Sequence, residues 1–386
     1  MKKPHILFLF SDTGGGHRSA TEAIFEALGL EFGDAFTTEM VDFFKEYAPI
    51  PFNRMPDLYP QLVKVPRLWQ VGFYATDGRS RARVITTAFW PYASRAARKL
   101  LEAHPSDIIV TTHLGANSVG LKALGKNREC RFVTVVLDPV TTHALWFDKR
   151  ADVILVPTEM SRARAIAYHM PPEKVHVVGQ PVAERYCAPP GDKRTLREKL
   201  GWPQEKMLIL LVGGGDGMGP MAGTAAAIDE SGLDLGLVIV AGRNERLKAN
   251  LEARAWKIPT HIYGFTRELP DFMRAVDVLV TKAGPGTIAE ALNAGLPMIL
   301  YSRVPGQEDG NVTYVQKERV GIWAPTPERV VRAIARWVER PGERERFANN
   351  CRIAARPQAA RLIARFIASQ AGLCPAPIEE TDSEKS

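Results

Sequence analysis

Ten short, mostly apolar runs alternate along the chain with segments of helical pattern. They are HILFLF, DIIVTT, RFVTVVLD, DVILVPT and KVHVVG in the first half, then MLILLVG, LVIVAG, HIYGF, DVLVTK and PMILYS in the second. Runs of this kind, without a polar residue at every second position, are typical of parallel strands that helices cover on both faces. The sequence therefore predicts an α/β fold with two Rossmann-like domains facing each other across a cleft.

A stretch of proline, glycine and charged residues interrupts this alternation in the middle of the chain. It reads APPGDKRTLREKLGWPQEK, residues 188–206, and a strand pattern resumes at Met207. The length of 386 residues also favours two cores over one. We therefore expect an N-terminal domain at 1–187, a linker at 188–206 and a C-terminal domain at 207–357. The polar, acidic tail at 375–386 is expected to be disordered.

Composition narrows the class of protein. The formal net charge of +7 indicates a surface that prefers anions, which leaves nucleic acid, a nucleotide substrate and anionic lipid open as partners. Four scattered cysteines form no CxxC pair, so they indicate neither a zinc site nor a disulfide framework, and we expect a reducing cytoplasm. No window reaches the roughly 18 to 20 apolar residues of a spanning helix. The start MKKPHILFLF predicts a first strand, because its apolar part is shorter than a signal peptide requires.

A glycine-rich turn with a histidine follows the first strand. The segment SDTGGGHRSATEAI, residues 11–24, places His17 directly after three glycines, and Ser19 with Glu22 has the spacing of a capping box that opens a helix. Glycines allow a substrate to approach the backbone, and a helix start favours negative charge. An imidazole there can accept a proton from an attacking hydroxyl at neutral pH. The alternative is that His17 only packs the turn.

The same turn permits a dinucleotide-binding interpretation. Gly14 to Gly16 follow a strand, and Glu39 or Asp42 ends the next one, as in NAD-dependent oxidoreductases. The third small position, however, is occupied by Ser19, and this function leaves the second half of the chain unexplained. A basic nucleic-acid-binding module is a further alternative, and it leaves the glycine loops without a role.

Two more glycine clusters follow strands in the second half. They are GGGDGMGP, starting at Gly213, and KAGPGTIAEAL, starting at Lys282, where Thr287 and Glu290 again have capping-box spacing. Two such loops in one domain predict a nucleotide diphosphate at helix N-termini. The chain has no Asp-x-Asp, so we expect cations such as Arg243 or Lys282, and no metal, to stabilise the diphosphate. Glu290 acts either as a cap or as a ribose contact.

The loop VPGQEDGNVTYV, residues 304–315, is rich in amide and carboxylate side chains. Such groups fix donor and acceptor directions for sugar hydroxyls, although a solvated loop has the same composition.

Aromatic residues alternate with arginine and lysine between Tyr47 and Tyr92. That pattern fits either a bilayer interface or the core of a helical subdomain.

These motifs together resemble those of a known family. DTGGGHRSA, THALWF, GGGDGMGP, AGRNERL, TKAGPGTIAEAL and GQEDGN look like the motifs of monogalactosyldiacylglycerol synthases, in the same order, over about Ile6 to Gly321. The lipid II-forming N-acetylglucosaminyltransferase shares the fold and the glycine-histidine turn. The resemblance implies a GT-B glycosyltransferase fold. It also implies that the helix at about 358–372 packs back on the N-terminal domain.

The resemblance implies an inverting transfer of a hexose, with galactose favoured, from UDP-hexose to the 3-hydroxyl of 1,2-diacylglycerol, giving a β-glycoside. A UDP-glucose donor and a polyprenyl-linked acceptor stay open. The implied partners are the UDP-sugar, diacylglycerol and an anionic membrane surface on the cytoplasmic face of the cell membrane, with no metal, no other cofactor and no nucleic acid.

The site residues follow from the motifs and the resemblance together. Catalysis is assigned to His17 and Glu308; UDP binding to Gly213, Gly214, Gly215, Arg243, Phe265, Gly284, Pro285, Gly286, Thr287 and Glu290; sugar binding to Gln307, Glu308 and Asn311; and acceptor binding to Gly15, Gly16, His143 and Trp146.

Overall fold

The chain divides into two compact units, each built on a parallel sheet. A computed structural model describes residues 3–13, 15–62, 65–126, 128–189 and 191–377. The first unit comprises Met1–Glu184, Pro305–Gln307 and Gln358–Ser386, and the second comprises Arg185–Val304 and Glu308–Pro357. The tail predicted to be disordered, 375–386, lies outside the described residues from 378 onward.

The first unit contains a six-stranded sheet and eight α-helices among the described residues. The strands are β1 (His5–Phe10), β2 (Thr37–Asp42), β3 (Ile108–Thr111), β4 (Arg131–Val135), β5 (Val153–Val156) and β6 (Val175–Val177). Its helices in chain order are α1 (Gly16–Phe32), α2 (Phe43–Tyr47), α3 (Met55–Leu62), α4 (Pro66–Thr76), α5 (Arg79–Ala103), α6 (Leu114–Leu124), α7 (Glu159–Ala167) and, from the C-terminal part of the chain, α16 (Ala359–Gln370), with a short 3₁₀ turn at Ala144–Trp146. The strand order is β2-β1-β3-β4-β5-β6, and every pairing is parallel.

The second unit contains the other six strands and eight α-helices of the described chain. Its strands are β7 (Met207–Val212), β8 (Leu235–Val240), β9 (Thr260–Tyr263), β10 (Val278–Lys282), β11 (Met298–Ser302) and β12 (Gly321–Trp323). Its helices are α8 (Lys193–Leu200), α9 (Met221–Asp229), α10 (Glu245–Glu252), α11 (Leu269–Ala275), α12 (Pro285–Asn293), α13 (Asp309–Lys317), α14 (Pro327–Glu339) and α15 (Pro341–Ala354). The order β12-β11-β10-β7-β8-β9 is that of a dinucleotide-type doubly wound sheet.

The continuous apolar runs form the centres of both sheets. Ile6 to Phe10 of β1 and Leu208 to Val212 of β7 are at most 2% exposed. This burial on both faces is why these strands read as uninterrupted apolar runs and not as alternating ones. The predicted α/β class is therefore confirmed. The three-residue strand β12 carries too short a pattern to be predicted.

Helix α16 packs on α1 within the first unit. Arg361 pairs with Glu31 at 2.9 Å and with Glu184 at 2.8 Å, and Arg365 pairs with Glu31 at 2.7 Å. The buried face of α16 includes Ile363, Phe366 and Ile367. This C-terminal helix is therefore anchored by both apolar burial and ion pairs.

The structure starts two helices at other residues than the sequence predicts. Helix α1 begins at Gly16, after a left-handed Gly15 with φ +76°, and α12 begins at Pro285 after Gly284, both without a side-chain cap. The capping boxes predicted at Ser19 and Glu22, and at Thr287 and Glu290, are therefore wrong, because the glycines start these helices earlier.

The segment expected as a linker, 188–206, carries helix α8. The Asp192 side chain caps it by accepting a hydrogen bond from the Thr195 N–H at 2.9 Å. Arg197 on this helix is 5% exposed and pairs with Asp277 at 2.7 Å. The segment therefore packs as part of the second unit.

Candidate active site

The glycine-histidine turn lies at the point where the first sheet reverses its winding. β1 connects through α1 to β2 on one side, whereas β3 connects through α6 to β4 on the other. The carboxyl ends of β1 and β3 are adjacent, and ligands of open α/β sheets bind at such switch points. His17 follows β1 and His113 follows β3, so this edge brings two imidazoles together.

His17 is held in one tautomer. Its Nδ1 donates a hydrogen bond to the Thr112 carbonyl at 2.6 Å. In the neutral ring this leaves Nε2 as a hydrogen-bond acceptor. Burial lowers the pKa of His17, and the Thr112 carbonyl only partly opposes this. The imidazole is therefore neutral and basic at Nε2 at physiological pH.

His113, which the sequence motifs did not predict, packs beside His17. The two rings lie 4.5 Å apart between centroids. Nδ1 of His113 accepts from the Gly115 N–H at 3.0 Å, so its Nε2–H donates to Thr13 Oγ1 at 3.2 Å. Burial and the nearby His17 hold the pKa of His113 well below its usual value. The available signal was a histidine directly after the strand DIIVTT, at the same sheet edge as His17.

His143 is engaged at both ring nitrogens. Nδ1 accepts from the Leu145 N–H at 3.1 Å, and Nε2 donates to Thr76 Oγ1 at 3.1 Å. Burial lowers the pKa of His143, which keeps the ring neutral. Of the three histidines, His17 is therefore the one whose acceptor nitrogen, Nε2, has no hydrogen-bond partner within the described part of the chain.

Trp146 was predicted to bind the acceptor, and in this structure it is fully buried. Its Nε1–H donates to Asp138 Oδ2 at 2.7 Å, and its ring centroid lies 6.3 Å from that of His17. Asp138 itself is 6% exposed and lines a cavity together with His17. The indole therefore supports the floor of this cavity and presents no surface of its own.

An apolar cavity of about 620 Å³ opens at this point of the first unit. His17, His113 and His143 line it, and so does Gln307, which was predicted to bind sugar. The aromatic lining comes mainly from the helices between β2 and β3: Phe43, Phe52, Trp69, Phe73, Phe89 and Tyr92. A mostly apolar pocket of this size with a few polar groups is typical of a small-molecule or lipid site.

The backbone beside His17 is open to a ligand. A Cβ built on Gly16 has no atom within 4 Å. Gly15 adopts the left-handed conformation that ends the turn. Gly14, the first glycine of the motif, lies outside the described residues. The turn therefore leaves room for a substrate above the first turn of α1.

In the second unit, the loop after β7 is closely packed on one side and basic on the other. A Cβ on Gly213 would lie 2.4 Å from Met221 Sδ, so only glycine fits. Arg243 lies beside Gly215, pairs with Asp216 at 2.9 Å and stacks at 5.6 Å over the exposed ring of Phe265. The loop thus combines bare backbone, a cation and an aromatic face.

The loop after β10 presents a helix start. Gly284 is the N-cap of α12, Pro285 follows it, and a Cβ on Gly286 meets nothing within 4 Å. The N–H groups of Gly286 and Thr287 belong to the first turn, which attracts anions. Burial raises the pKa of Glu290, one turn further on, to about 7, and Arg185 partly opposes this shift.

Glu308 is buried in an ion pair. It is 5% exposed; its Oε1 accepts from Lys282 Nζ at 2.6 Å, and its Oε2 accepts from the Val304 N–H at 2.7 Å. Asn311, also buried, donates from Nδ2 to the Ala283 carbonyl at 2.8 Å and so fixes the loop after β10.

Within the described residues, no group of three or more His, Cys, Asp or Glu is placed to hold a metal. No described helix has the length and apolarity to cross a membrane.

Two family models match the chain. Residues 17–182 match the monogalactosyldiacylglycerol (MGDG) synthase model, and residues 209–348 match the glycosyltransferase family 28 C-terminal domain. The two glycine loops of the second unit fall within the second range, and the first range begins at His17.

Curated relatives match over almost the full chain. The probable monogalactosyldiacylglycerol synthase 2, chloroplastic, of Oryza sativa subsp. indica is 36% identical over 92% of this chain and 78% of the relative. Monogalactosyldiacylglycerol synthase 2, chloroplastic, of Arabidopsis thaliana gives the same three values. The chloroplastic names contradict the expectation of a cytoplasmic enzyme on the inner face of the cell membrane. That expectation was wrong because scattered cysteines indicate a reducing compartment without distinguishing one such compartment from another.

Solved structures share the fold. A Staphylococcus aureus MnaA–UDP co-structure superposes with a TM-score of 0.64 at 13% identity, covering 98% of this chain and 100% of that one. Acinetobacter baumannii MurG superposes with a TM-score of 0.62 at 15% identity, covering 95% and 99%. The predicted GT-B class, with two parallel Rossmann-like sheets, is thereby confirmed.

Proposed function

Because the chain belongs to the monogalactosyldiacylglycerol synthase family, we propose that it transfers galactose from UDP-galactose to diacylglycerol. The observation that carries this proposal within the chain is the basic Nε2 of His17 in an apolar cavity. A polar proton acceptor surrounded by aromatic side chains suits an alcohol with hydrocarbon chains.

Diacylglycerol occupies the apolar cavity of the first unit, with its free hydroxyl at His17. The aromatic walls bury acyl chain, and their burial from water is the main source of affinity for such a substrate. The open backbone at Gly16 gives the glycerol room beside the imidazole. Trp146 and His143 act indirectly, by holding Asp138 and the Thr76 side chain.

His17 serves as the general base. Its Nε2 removes the proton of the 3-hydroxyl as that oxygen attacks the anomeric carbon from the side opposite UDP. The reaction inverts configuration and yields a β-galactoside. General bases of this kind contribute roughly 10² to 10⁴ in rate. His113 packs beside this ring and stays neutral itself, because burial and the positive charge that His17 gains with the proton both lower the pKa of His113.

The second unit binds the donor. The start of α12 and the glycine loop after β7 receive the diphosphate through backbone N–H groups, and Arg243 and Lys282 supply positive charge. Phe265 offers a face for the uracil ring, Glu290 accepts from the ribose, and Glu308 reads the hexose. The sugar contact predicted at Gln307, which belongs to the first unit, stays a prediction. The absence of a metal from this mechanism stays a prediction.

The first unit also carries the surface that docks on an anionic membrane. Leu68 and Val71 of α4 and Val84 of α5 are 64%, 66% and 67% exposed, which is unusual for aliphatic residues. Exposed Arg67 and Arg83 lie next to them in sequence. Aliphatic residues enter the head-group region while arginines meet anionic lipid. Leu68→Glu with Val71→Glu is expected to abolish co-flotation with phosphatidylglycerol vesicles; unchanged flotation would contradict this docking surface.

A transfer assay tests the proposed reaction. Purified protein receives diacylglycerol in mixed anionic micelles with radiolabelled UDP-galactose or UDP-glucose, and label is followed into the lipid phase. We expect label from UDP-galactose. Label from UDP-glucose alone would identify UDP-glucose as the donor in place of UDP-galactose, because a site that hydrogen-bonds one O4 epimer discriminates against the other. No label from either donor, with UDP still bound, would refute diacylglycerol as acceptor and favour a polyprenyl-linked one.

A further inference from the structure

The buried ion pair between Lys282 and Glu308 connects two parts of the donor site, and this inference rests on the proposed function. Lys282 ends β10, whereas Glu308 directly precedes α13. Their side chains are 19% and 6% exposed, and the Nζ–Oε1 distance is 2.6 Å. A pair this well buried is expensive to break unless each charge finds another partner.

Lys282 lies between the two glycine loops of the second unit. A Cβ built on Gly284 would be 3.0 Å from Lys282 Nζ, and one on Gly214 would be 3.3 Å from its Cε. Both loops are the proposed diphosphate contacts. The Lys282 ammonium group therefore lies close enough to both loops to bind a phosphate oxygen there, and in this structure it pairs with the Glu308 carboxylate.

Glu308 has only one oxygen to exchange. Its Oε2 is committed to the Val304 N–H at 2.7 Å, so Oε1, the atom bonded to Lys282, is the one that can change partners. An arriving diphosphate carries more negative charge than a single carboxylate and competes for the same ammonium group. Loss of Lys282 leaves Glu308 Oε1 buried and in need of a new donor.

We infer that donor binding moves Lys282 from Glu308 to the diphosphate and thereby frees Glu308 to accept a hydroxyl of the hexose. UDP-galactose supplies both new partners at once. UDP alone supplies only the diphosphate that binds Lys282. It leaves the buried Glu308 carboxylate without a hydrogen-bond donor for Oε1, close to the negative charge of the diphosphate. The exchange therefore makes recognition of phosphate and of sugar interdependent, and it weakens the binding of the product UDP.

Calorimetric titrations with UDP and UDP-galactose test the exchange in wild type, Glu308→Gln, Lys282→Met and the double variant. Glutamine keeps an oxygen for the Val304 N–H but no longer holds the ammonium group. We expect Glu308→Gln to tighten UDP binding by about fivefold or more, since a hydrogen bond to a charged group is released from competition. The same substitution should change UDP affinity much less in the Lys282→Met background. Glu345→Gln, which removes an exposed pairing with Arg352, is the charge-matched control and should leave both affinities unchanged.

Unchanged UDP affinity in Glu308→Gln, or an equal effect with and without Lys282, would overturn the exchange while leaving the proposed function intact. Failure of the wild type to bind either nucleotide would instead overturn the proposed function, and with it the inference built upon it.

A second measurement needs no variant. 1,5-Anhydrogalactitol, galactose without its anomeric hydroxyl, is titrated into the free and the UDP-saturated wild type. Coupling between two ligands is reciprocal, so we expect UDP to tighten binding of the sugar analogue at least about fivefold. Equal affinity in both states would overturn the exchange.

Discussion

Replacing His17 by alanine removes the proposed base without disturbing the donor-binding unit. The Thr112 carbonyl fixes its Nδ1–H, and burial lowers its pKa, so nearly all of the enzyme holds a basic Nε2 at pH 7.5. The full contribution of the base is then lost, and kcat should fall by roughly 100-fold or more, about 2.7 kcal/mol in activation free energy. His169→Asn is the matched control, because His169 is exposed, has φ +61° and lies outside the cavity lining.

The assay is galactosyl transfer from UDP-galactose at saturating diacylglycerol, with UDP affinity measured in parallel by calorimetry. UDP affinity should stay within about twofold in His17→Ala, since none of the proposed donor contacts is altered. Turnover within a factor of about three of wild type would refute the role of His17 as base.

The pH profile of wild type adds an independent constraint. A base with a lowered pKa stays unprotonated below the usual histidine value of about 6.5. The acid limb of kcat should therefore lie below pH 6.5 in wild type and be absent from the residual activity of His17→Ala. An acid limb centred above 6.5, or one that persists in the variant, would contradict the assignment.

Three further changes probe other parts of the site. Gly214→Ala places a side chain at φ +72° beside Lys282 and should weaken UDP binding by about fivefold or more, measured by calorimetry; unchanged affinity would mean that the loop does not contact the diphosphate. Ala97→Trp fills part of the apolar cavity and should raise KM for diacylglycerol while sparing UDP affinity, and an unchanged KM would place the acceptor elsewhere. UDP affinity should rise with pH through about 7 as Glu290 ionises and accepts from ribose, and Glu290→Gln should remove that dependence; an identical pH profile in the variant would exclude this role.

Continuous apolar runs made the sheets predictable, because strands buried on both faces cannot carry alternating polar residues. His17 was predictable for a related reason: three glycines after a strand mark a backbone that a ligand approaches. The helix starts were mispredicted, since Gly15 at positive φ and the Gly284–Pro285 step begin α1 and α12 without the side-chain caps that the spacing suggested.

The sequence did not predict contacts between residues that lie far apart along the chain. Nothing local marks His113, 96 positions after His17, as the residue that packs against its ring. Similarly, the motif around Glu308 indicated sugar binding but not that Lys282 already holds one of its oxygens. Such contacts arise only when the crossover connections bring strand ends together.

The anomeric configuration of the product tests the central claim most directly. Galactosylated diacylglycerol made by the wild-type protein from UDP-α-galactose is isolated, and its configuration is read from the coupling of the anomeric proton in the NMR spectrum. Direct attack by a hydroxyl deprotonated at His17 predicts the β-anomer. An α-anomer would mean retention of configuration and would contradict a single displacement with His17 as its base.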